Sequence, residues 1–299
     1  MTPSDRGLRV APPARGGTLR AKTLDLVALG KPRIMVMALL TAAGAMTLAP
    51  GTLPLWRALV LLTGTALIVG SANTLNMWLE RDVDCLMSRT KNRPLPGQRL
   101  MPNTALVWGA LQGALSLPVL AISGVVPAAL GMVALLLYVG VYTPMKQHTH
   151  WATWIGAVPG AMPALMGWTA TTGRIDLGGL AVFGVLFFWQ IPHTHAIAIY
   201  RQREYDAAGM KTLPSTRGLE ATRRAISLFL LVQVAVSFAP AALGVAGTPY
   251  LVTAIALGAM VLVQGLTGDG TTKWARNLFL TSIVYLPILF AMMVFSGRA

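Results

Sequence analysis

The sequence predicts an all-α polytopic membrane protein with about nine transmembrane helices in one bundle and a cytoplasmic N-terminus. Of its 299 residues, 55% are hydrophobic and only 11% are charged, whereas about 25% of residues are charged in soluble domains. The mean hydropathy is positive. This composition excludes a disordered chain and a typical cytosolic enzyme, and the single cysteine, Cys85, excludes a disulfide-rich secreted domain.

Nine stretches are apolar over about the 20 residues that a helix needs to cross a bilayer. In chain order they are residues 34–50, 57–80, 104–122, 126–143, 151–170, 177–200, 225–244, 249–267 and 277–296. The second and sixth stretches run directly into charged loops, and the fifth is rich in small residues (Gly156, Gly160 and Gly167). Small residues at this spacing let helices pack closely in lipid, so a structural role accounts for these glycines.

The distribution of basic residues predicts the orientation of the bundle. Residues 1–27 are rich in Pro, Gly and Arg and lack the apolar core of a signal peptide, so we expect a disordered cytosolic tail followed by one domain over residues 28–299. Of the 24 Lys and Arg residues, all but Arg57, Arg174 and Arg298 fall in the tail or in alternate loops on one side. Because such loops face the cytoplasm, the net charge of +14 reflects membrane orientation, and no nucleic-acid partner is expected.

The second span ends in a cluster of oxygen-bearing side chains. Asn76, Glu80 and Asp84 recur every four residues, so they share one face of a helix. Mg²⁺ prefers such oxygen ligands and commonly bridges protein carboxylates to a substrate phosphate. The alternative is a solvated helix end whose acids balance nearby arginines, although Asn76 and Glu80 continue an apolar stretch in which polar groups are expensive.

The sixth span also runs into a loop of mixed charge, which contains Glu204. Pro192 is expected to kink this span. His193 and His195 lie about 200° apart around a helix, and a single helical histidine is more often a hydrogen-bonded structural residue than a ligand. Between the two acidic loops, Tyr142 and Lys146 close the fourth span. Together, these groups would provide Mg²⁺ ligands and cations for a diphosphate.

Several motifs resemble those of the intramembrane aromatic-prenyltransferase superfamily and, within it, the protohaem IX farnesyltransferases (haem O synthases). The shared features are Asn76-xxx-Glu80-xxx-Asp84, Tyr142-xxx-Lys146, Lys31-Pro-Arg33, Arg89-Thr-Lys-Asn-Arg93-Pro-Leu-Pro, Gly160 to Trp168, Trp189-Gln-Ile-Pro-His193 and Lys273 to Phe279 with Tyr285-Leu. The resemblance extends from about residue 28 to residue 293. It implies nine helices around a lipid-accessible central cavity in a bacterial inner membrane. The implied reaction transfers a farnesyl group from farnesyl diphosphate to a vinyl group of haem B.

The resemblance also implies roles for individual residues. Mg²⁺ and the catalytic groups are expected at Asn76, Glu80, Asp84 and Lys146, with Glu204 as a further metal ligand. Lys146, Arg89, Arg93 and Arg33 are expected to bind the diphosphate. His193 is the first candidate for contact with haem, followed by His195, Tyr142 and Trp189. The chain departs from the family pattern where Glu80 and Glu204 replace aspartates and where Thr194 replaces a phenylalanine.

Other functions are compatible with parts of this pattern. The same fold could prenylate a different acceptor, such as the ring of a quinone precursor. A transporter or a non-catalytic haem-binding protein belongs to another class, but transporters place their ionisable residues near the bilayer midplane. Here the acids cluster at helix ends on one side. The predicted partners are therefore farnesyl diphosphate, haem B, the lipid bilayer and the downstream haem A synthase.

Overall fold

A computed structural model describes residues 18–297, which fold into helices without strands. The helices are α1 (Leu19–Leu29), α2 (Pro32–Leu48), α3 (Leu55–Leu79), α4 (Arg81–Asp84), α5 (Pro102–Ser123), α6 (Val125–Leu136), a π-helical segment (Leu137–Tyr142), α7 (Thr143–Met145), α8 (Ala152–Thr172), α9 (Leu177–Tyr200), α10 (Gln202–Ala207), α11 (Leu213–Ser237), α12 (Ala239–Ala242), α13 (Thr248–Leu266) and α14 (Thr272–Ser296). All nine predicted spans correspond to helices within this part of the chain.

Seven of the described helices are long and apolar enough to cross a membrane, and α1 with α2 forms an eighth, bent span. The ninth predicted span, α8, is not apolar enough to be counted with these eight, and 13 of its 21 residues are buried. Because α8 packs against α2, α6 and α9 instead of lipid, it needs less hydrophobicity than the outer helices. This result confirms a multi-span, all-helical membrane protein.

Small residues bring the central helices into close contact, as predicted. At Gly167, an added Cβ would overlap the backbone carbonyl of Ala42, so α8 and α2 touch through their main chains. The largest buried cluster joins α2, α8, α9, α11, α13 and α14, and a second joins α3, α5, α6 and α8. The helix α8 therefore belongs to both halves of the bundle.

Three segments differ from the sequence-based expectations. The predicted tail lies outside the described residues up to position 17, but α1 begins at Leu19, so the expectation of disorder to residue 27 was wrong for its last part. A bend of 53° separates α1 from α2 at Lys31, whose φ is 51°. The helix of the seventh span begins at Leu213 instead of residue 225, although Gly218 (φ 82°, ψ 170°) interrupts it, so the continuous helix starts after that residue. The helix α9 continues through Pro192 to Tyr200.

Candidate active site

A cavity of about 240 Å³ opens at the end of the bundle that is predicted to face the cytoplasm. Its walls come from the α1–α2 junction, α3, α4, α8, α9, α10 and the loops between them. Eight of the predicted site residues line it, namely Asn76, Glu80, Asp84, Arg89, Arg93, Tyr142, Lys146 and His195. The central cavity predicted for this bundle is therefore present among the described residues.

The junction of α3 and α4 keeps three side chains on one face. The amide of Glu80 donates to the carbonyl of Asn76 at 2.9 Å, and the amide of Asp84 donates to the carbonyl of Glu80 at 2.8 Å. This spacing continues the helical register across the end of α3, so the three side chains follow one another along the cavity wall. Each is at most 6% exposed, which contradicts the alternative of a solvated helix end.

Each of these three groups faces a different cation. Lys31 Nζ donates to Asn76 Oδ1 at 2.7 Å, Lys146 Nζ donates to Glu80 Oε1 at 2.8 Å, and Arg93 donates to Asp84 Oδ2 at 2.7 Å. The ammonium of Lys146 also lies 4.4 Å from the centre of the Tyr142 ring. Glu80 and Asp84 thus each have a cationic partner, and the ammonium of Lys31 is held by the neutral amide of Asn76.

The donors on this wall suit a hard divalent cation. Asp84 Oδ1 is buried and has no hydrogen-bond partner, which leaves a carboxylate oxygen available to a ligand. The neighbouring Asn76 and Glu80 supply further oxygen atoms of the type that Mg²⁺ prefers. In the described part of the chain, His, Cys, Asp and Glu residues form no group of three arranged to hold a metal. Substrate oxygens or water would therefore have to complete the coordination.

Glu204 does not join the predicted metal ligands. It accepts a hydrogen bond from Ser88 at 2.8 Å and pairs with Arg201 at 3.2 Å, and it lines a separate cavity near the end of α9. Both contacts engage its carboxylate outside the lining of the charged cavity. The expectation of a shared metal site does not agree with this geometry.

The cations that line the cavity differ from the predicted set at one position. Arg89, Arg93 and Lys146 contribute as predicted, whereas Arg33 is exposed and lies outside the cavity lining. Lys31 takes its place. The sequence signal for Lys31 was its position between Gly30 and Pro32, where a charged residue interrupts two apolar segments.

The two histidines lie on opposite sides of α9, as their spacing predicts. His195 is buried and lines the cavity. His193, the first candidate for contact with haem, turns away from it, because its Nδ1 lies 2.6 Å from Ser282 Oγ on α14 and its ring stacks on Trp189 at 4.5 Å. Trp189 also faces α14, where its Nε1 donates to the Ser282 carbonyl at 2.9 Å. Of the four candidates, His195 and Tyr142 remain at the cavity.

Two further cavity residues were not predicted from the sequence. Tyr205 lies on α10, and burial raises the pKa of its phenol, so the hydroxyl stays protonated near neutral pH. Lys211 also lines the cavity, and its backbone amide donates to the Lys146 carbonyl at 2.9 Å. This bond ties the loop after α10 to the end of α7 and closes one side of the cavity.

A second, apolar cavity of about 100 Å³ adjoins the first and shares Ile34 with it. It begins beside Asn73 and Tyr138 and ends at Ile68 and Met166, deeper in the bundle. Ile68 lies eight residues before Asn76 on α3, a rise of about 12 Å. The site thus combines a charged chamber with an apolar extension.

Comparisons with known proteins give the family. The model of the UbiA prenyltransferase family matches residues 37–295. A protoheme IX farnesyltransferase of Myxococcus xanthus (strain DK1622) is 47% identical over 283 residues, which cover 93% of this chain and 96% of the relative. A protoheme IX farnesyltransferase of Sorangium cellulosum (strain So ce56) is 50% identical over 240 residues, which cover 77% and 84%.

Solved structures show the same fold at low sequence identity. Digeranylgeranylglyceryl phosphate synthase superposes with a TM-score of 0.80 at 13% identity, covering 92% of this chain and 98% of that chain. A UbiA homologue from Archaeoglobus fulgidus bound to GPP and Mg²⁺ has a TM-score of 0.65 at 16% identity, covering 90% and 99%. The chain therefore belongs to the UbiA prenyltransferase family, in the branch whose members are named protoheme IX farnesyltransferase.

Proposed function

We propose that this protein transfers the farnesyl group of farnesyl diphosphate to a vinyl group of haem B, giving haem O. The observation that carries the proposal is the row of Asn76, Glu80 and Asp84 facing three cations beside an apolar cavity. A prenyl diphosphate has the same two parts, a charged head and an apolar tail. The similarity to protoheme IX farnesyltransferases over most of the chain supports haem as the acceptor.

The charged chamber would hold the diphosphate. Asn76, Glu80 and Asp84 would hold Mg²⁺, which when bound neutralises charge on the departing diphosphate. Lys146 and Arg93 each have a carboxylate partner, and both can transfer their hydrogen bonds to diphosphate oxygens. Arg89 lines the same chamber and adds a planar set of donors that suits phosphate oxygens.

The apolar cavity would hold the farnesyl chain. The path from Asn76 in the charged chamber to Ile68 at the deep end of this cavity rises about 12 Å along α3, which is comparable with a chain of three isoprene units. The walls beyond Asn73 and Tyr138 are almost entirely apolar. They would exclude water from the allylic carbon, which must meet the haem vinyl group before water can intercept it.

The proposed reaction proceeds by one substitution and one hydration. The C1–O bond of farnesyl diphosphate breaks, and the electron pair leaves with the diphosphate. The π electrons of the haem vinyl group form the new bond to C1, which leaves a cation on the carbon next to the porphyrin. Water adds to that carbon and loses a proton, so the side chain becomes hydroxyethylfarnesyl. His195, a buried imidazole on the chamber wall, is our candidate to accept this proton.

The membrane setting follows from the multi-span fold, and bacterial relatives support a bacterial inner membrane as the location. The product, haem O, remains apolar and membrane-bound. We therefore propose that a haem A synthase in the same membrane consumes it.

A pigment assay tests the proposal. The protein is expressed in cells that lack their own haem O synthase, and the extracted haems are separated by chromatography. We expect farnesylated haem from the wild type and none from Glu80→Gln, which should still accumulate in membranes. Folded wild-type protein that yields no farnesylated haem would overturn haem as the acceptor. The same extracts should then be searched for a prenylated quinone precursor.

A further inference from the structure

We infer that Thr143 is a positioning residue that fixes the orientation of the Asn76 amide, so that its oxygen faces the charged chamber. The inference rests on the proposed function, because it concerns the use of that oxygen. Thr143 lies behind Asn76 and does not line either cavity, and it is 4% exposed. Its side chain can therefore act on the reaction only through its neighbours.

The first step is the polarity of the contact between Lys31 and Asn76. A lysine ammonium has three donors and no acceptor. Lys31 Nζ lies 2.7 Å from the Asn76 side chain, so the atom that it contacts must be the amide oxygen. The amide NH₂ of Asn76 must then point to the opposite side, away from Lys31.

The second step is the hydroxyl of Thr143. Asn76 Nδ2 lies 3.0 Å from Thr143 Oγ1, and Thr143 Oγ1 lies 2.7 Å from the carbonyl oxygen of Tyr138. A carbonyl can only accept, so the single hydroxyl hydrogen goes to Tyr138, and the hydroxyl oxygen is left to accept from Asn76. The three hydrogen bonds therefore run in one direction: Lys31 donates to Asn76, Asn76 donates to Thr143, and Thr143 donates to the Tyr138 carbonyl.

The third step explains why Thr143 reaches this position. Residues Leu137–Tyr142 form a π-helical turn, and the Thr143 amide donates to the Tyr138 carbonyl, five residues earlier. In a regular α-helix, that amide would contact residue 139 instead. The widened turn therefore brings both the amide and the hydroxyl of Thr143 to one carbonyl. Turns of this kind are frequent at functional sites.

The consequence is a preset ligand. A rotated Asn76 amide would present two hydrogens to the chamber instead of an oxygen, and it would repel both a metal ion and Lys31. Lys31 contacts the oxygen end of the Asn76 side chain from the chamber, and Thr143 contacts its NH₂ end from the opposite, buried side. Thr143 therefore supplies the acceptor that makes one orientation stable on the buried side.

The test compares four full-length proteins in nanodiscs: wild type, Thr143→Val, Thr143→Ser and Asn76→Asp, together with the double variant Asn76→Asp/Thr143→Val. The probe is Mn²⁺ with farnesyl thiodiphosphate, an unreactive donor analogue, and free Mn²⁺ is measured by electron paramagnetic resonance. Valine keeps the shape of threonine without the hydroxyl, and serine keeps the hydroxyl. The midpoint of thermal unfolding is recorded for each protein to show that it is folded.

We expect Thr143→Val to weaken Mn²⁺ binding by at least about tenfold, as is typical when a partner of a metal ligand is lost. Thr143→Ser should stay near the wild-type affinity. In the Asn76→Asp background the loss should shrink to about twofold or less, because both outer atoms of an aspartate are oxygens. If Thr143→Val does not accumulate, Thr143→Cys replaces it, since a thiol is a weaker acceptor.

Two results would overturn the inference. One is wild-type Mn²⁺ affinity in Thr143→Val. The other is an equal loss in both backgrounds, which would mean that Thr143 acts only by shaping the helix. A wild-type protein that binds no Mn²⁺ would overturn the donor site of the proposed function as well. Binding of Mn²⁺ without farnesylation of haem would reject the acceptor and leave the role of Thr143 intact.

Discussion

Asp82 and Asp84 lie two residues apart on α4 in opposite environments. The Asp84 side chain is 1% exposed and pairs with Arg93, whereas the Asp82 side chain is 80% exposed and lies 3.8 Å from Arg81. Exposed ion pairs contribute little, because water screens them. A buried carboxylate with an unpartnered oxygen, such as Asp84, is available to a ligand.

This contrast gives a matched pair of variants. We expect Asp84→Asn to lower the rate of farnesyl transfer by about 100-fold, because it removes a charged oxygen ligand and leaves Arg93 unpaired. Asp82→Asn, the same change two residues away, should stay within about twofold of the wild type. The initial rate of farnesylated haem formation by purified protein is the measurement. Equal losses in both variants would contradict the assignment.

At the scale of residues, spacing predicted the face shared by Asn76, Glu80 and Asp84, because helical geometry fixes it locally. Lys31 could not be found in this way. It contacts Asn76 across 45 residues of sequence, and that contact depends on the bend between α1 and α2. The spacing also placed His193 and His195 on opposite faces. Which face turns to the cavity depends on the packing of α9 against α14, which the sequence does not show.

At the scale of elements, hydrophobic length predicted a helix at each of the nine stretches, while the ends and interruptions of these helices escaped prediction. The helix α1 is largely exposed and carries Arg20, Lys22 and Asp25 among its apolar residues. It therefore lacks the continuous apolar pattern by which the nine spans were found. The π-helical segment Leu137–Tyr142 reads as part of a continuous apolar span. It can be identified only once the partner of Thr143 is known.

The contact between α8 and α2 predicts how a substitution at Gly167 changes the stability of the bundle. We expect Gly167→Ala to destabilise the bundle by more than the roughly 1–3 kcal/mol typical of overpacking, because the new methyl group would meet the backbone of Ala42. Gly184→Ala is the control, since its methyl group would meet only the Val236 side chain, at 3.1 Å. The thermal unfolding midpoint in detergent is the measurement. A Gly167→Ala midpoint equal to that of the control would show that the helices can separate at little cost.

At the scale of the whole molecule, the two adjoining cavities divide a prenyl diphosphate into head and tail. The deep end of the apolar cavity is formed by Ile68 and Met166, which also belong to the buried cluster joining α3, α5, α6 and α8. The length of the chain that fits is therefore set by the core of the bundle. The sequence indicated a cavity only through family resemblance, since no local pattern shows where helices stand apart.

A substitution at this deep end tests the division. We expect Ile68→Phe to shift the preference from farnesyl to geranyl diphosphate by about tenfold or more in kcat/KM, because the larger ring shortens the cavity. An apolar group that is missing or added in such a pocket changes the binding free energy by about 1–3 kcal/mol. Val263→Phe, on the exposed surface of α13, is the control and should leave the preference unchanged. Competition between the two donors, read by mass spectrometry of the haem products, is the measurement. An unchanged preference in Ile68→Phe would place the chain elsewhere.

The ion pairs of the chamber also bear on how the site empties. Lys146 and Arg93 have carboxylate partners of their own in Glu80 and Asp84. When inorganic diphosphate has been formed, those carboxylates compete with it for the same cations. The free energy needed to release diphosphate is therefore lower than it would be if these cations had no carboxylate partners. Inorganic diphosphate is therefore expected to be a weak product inhibitor of this protein.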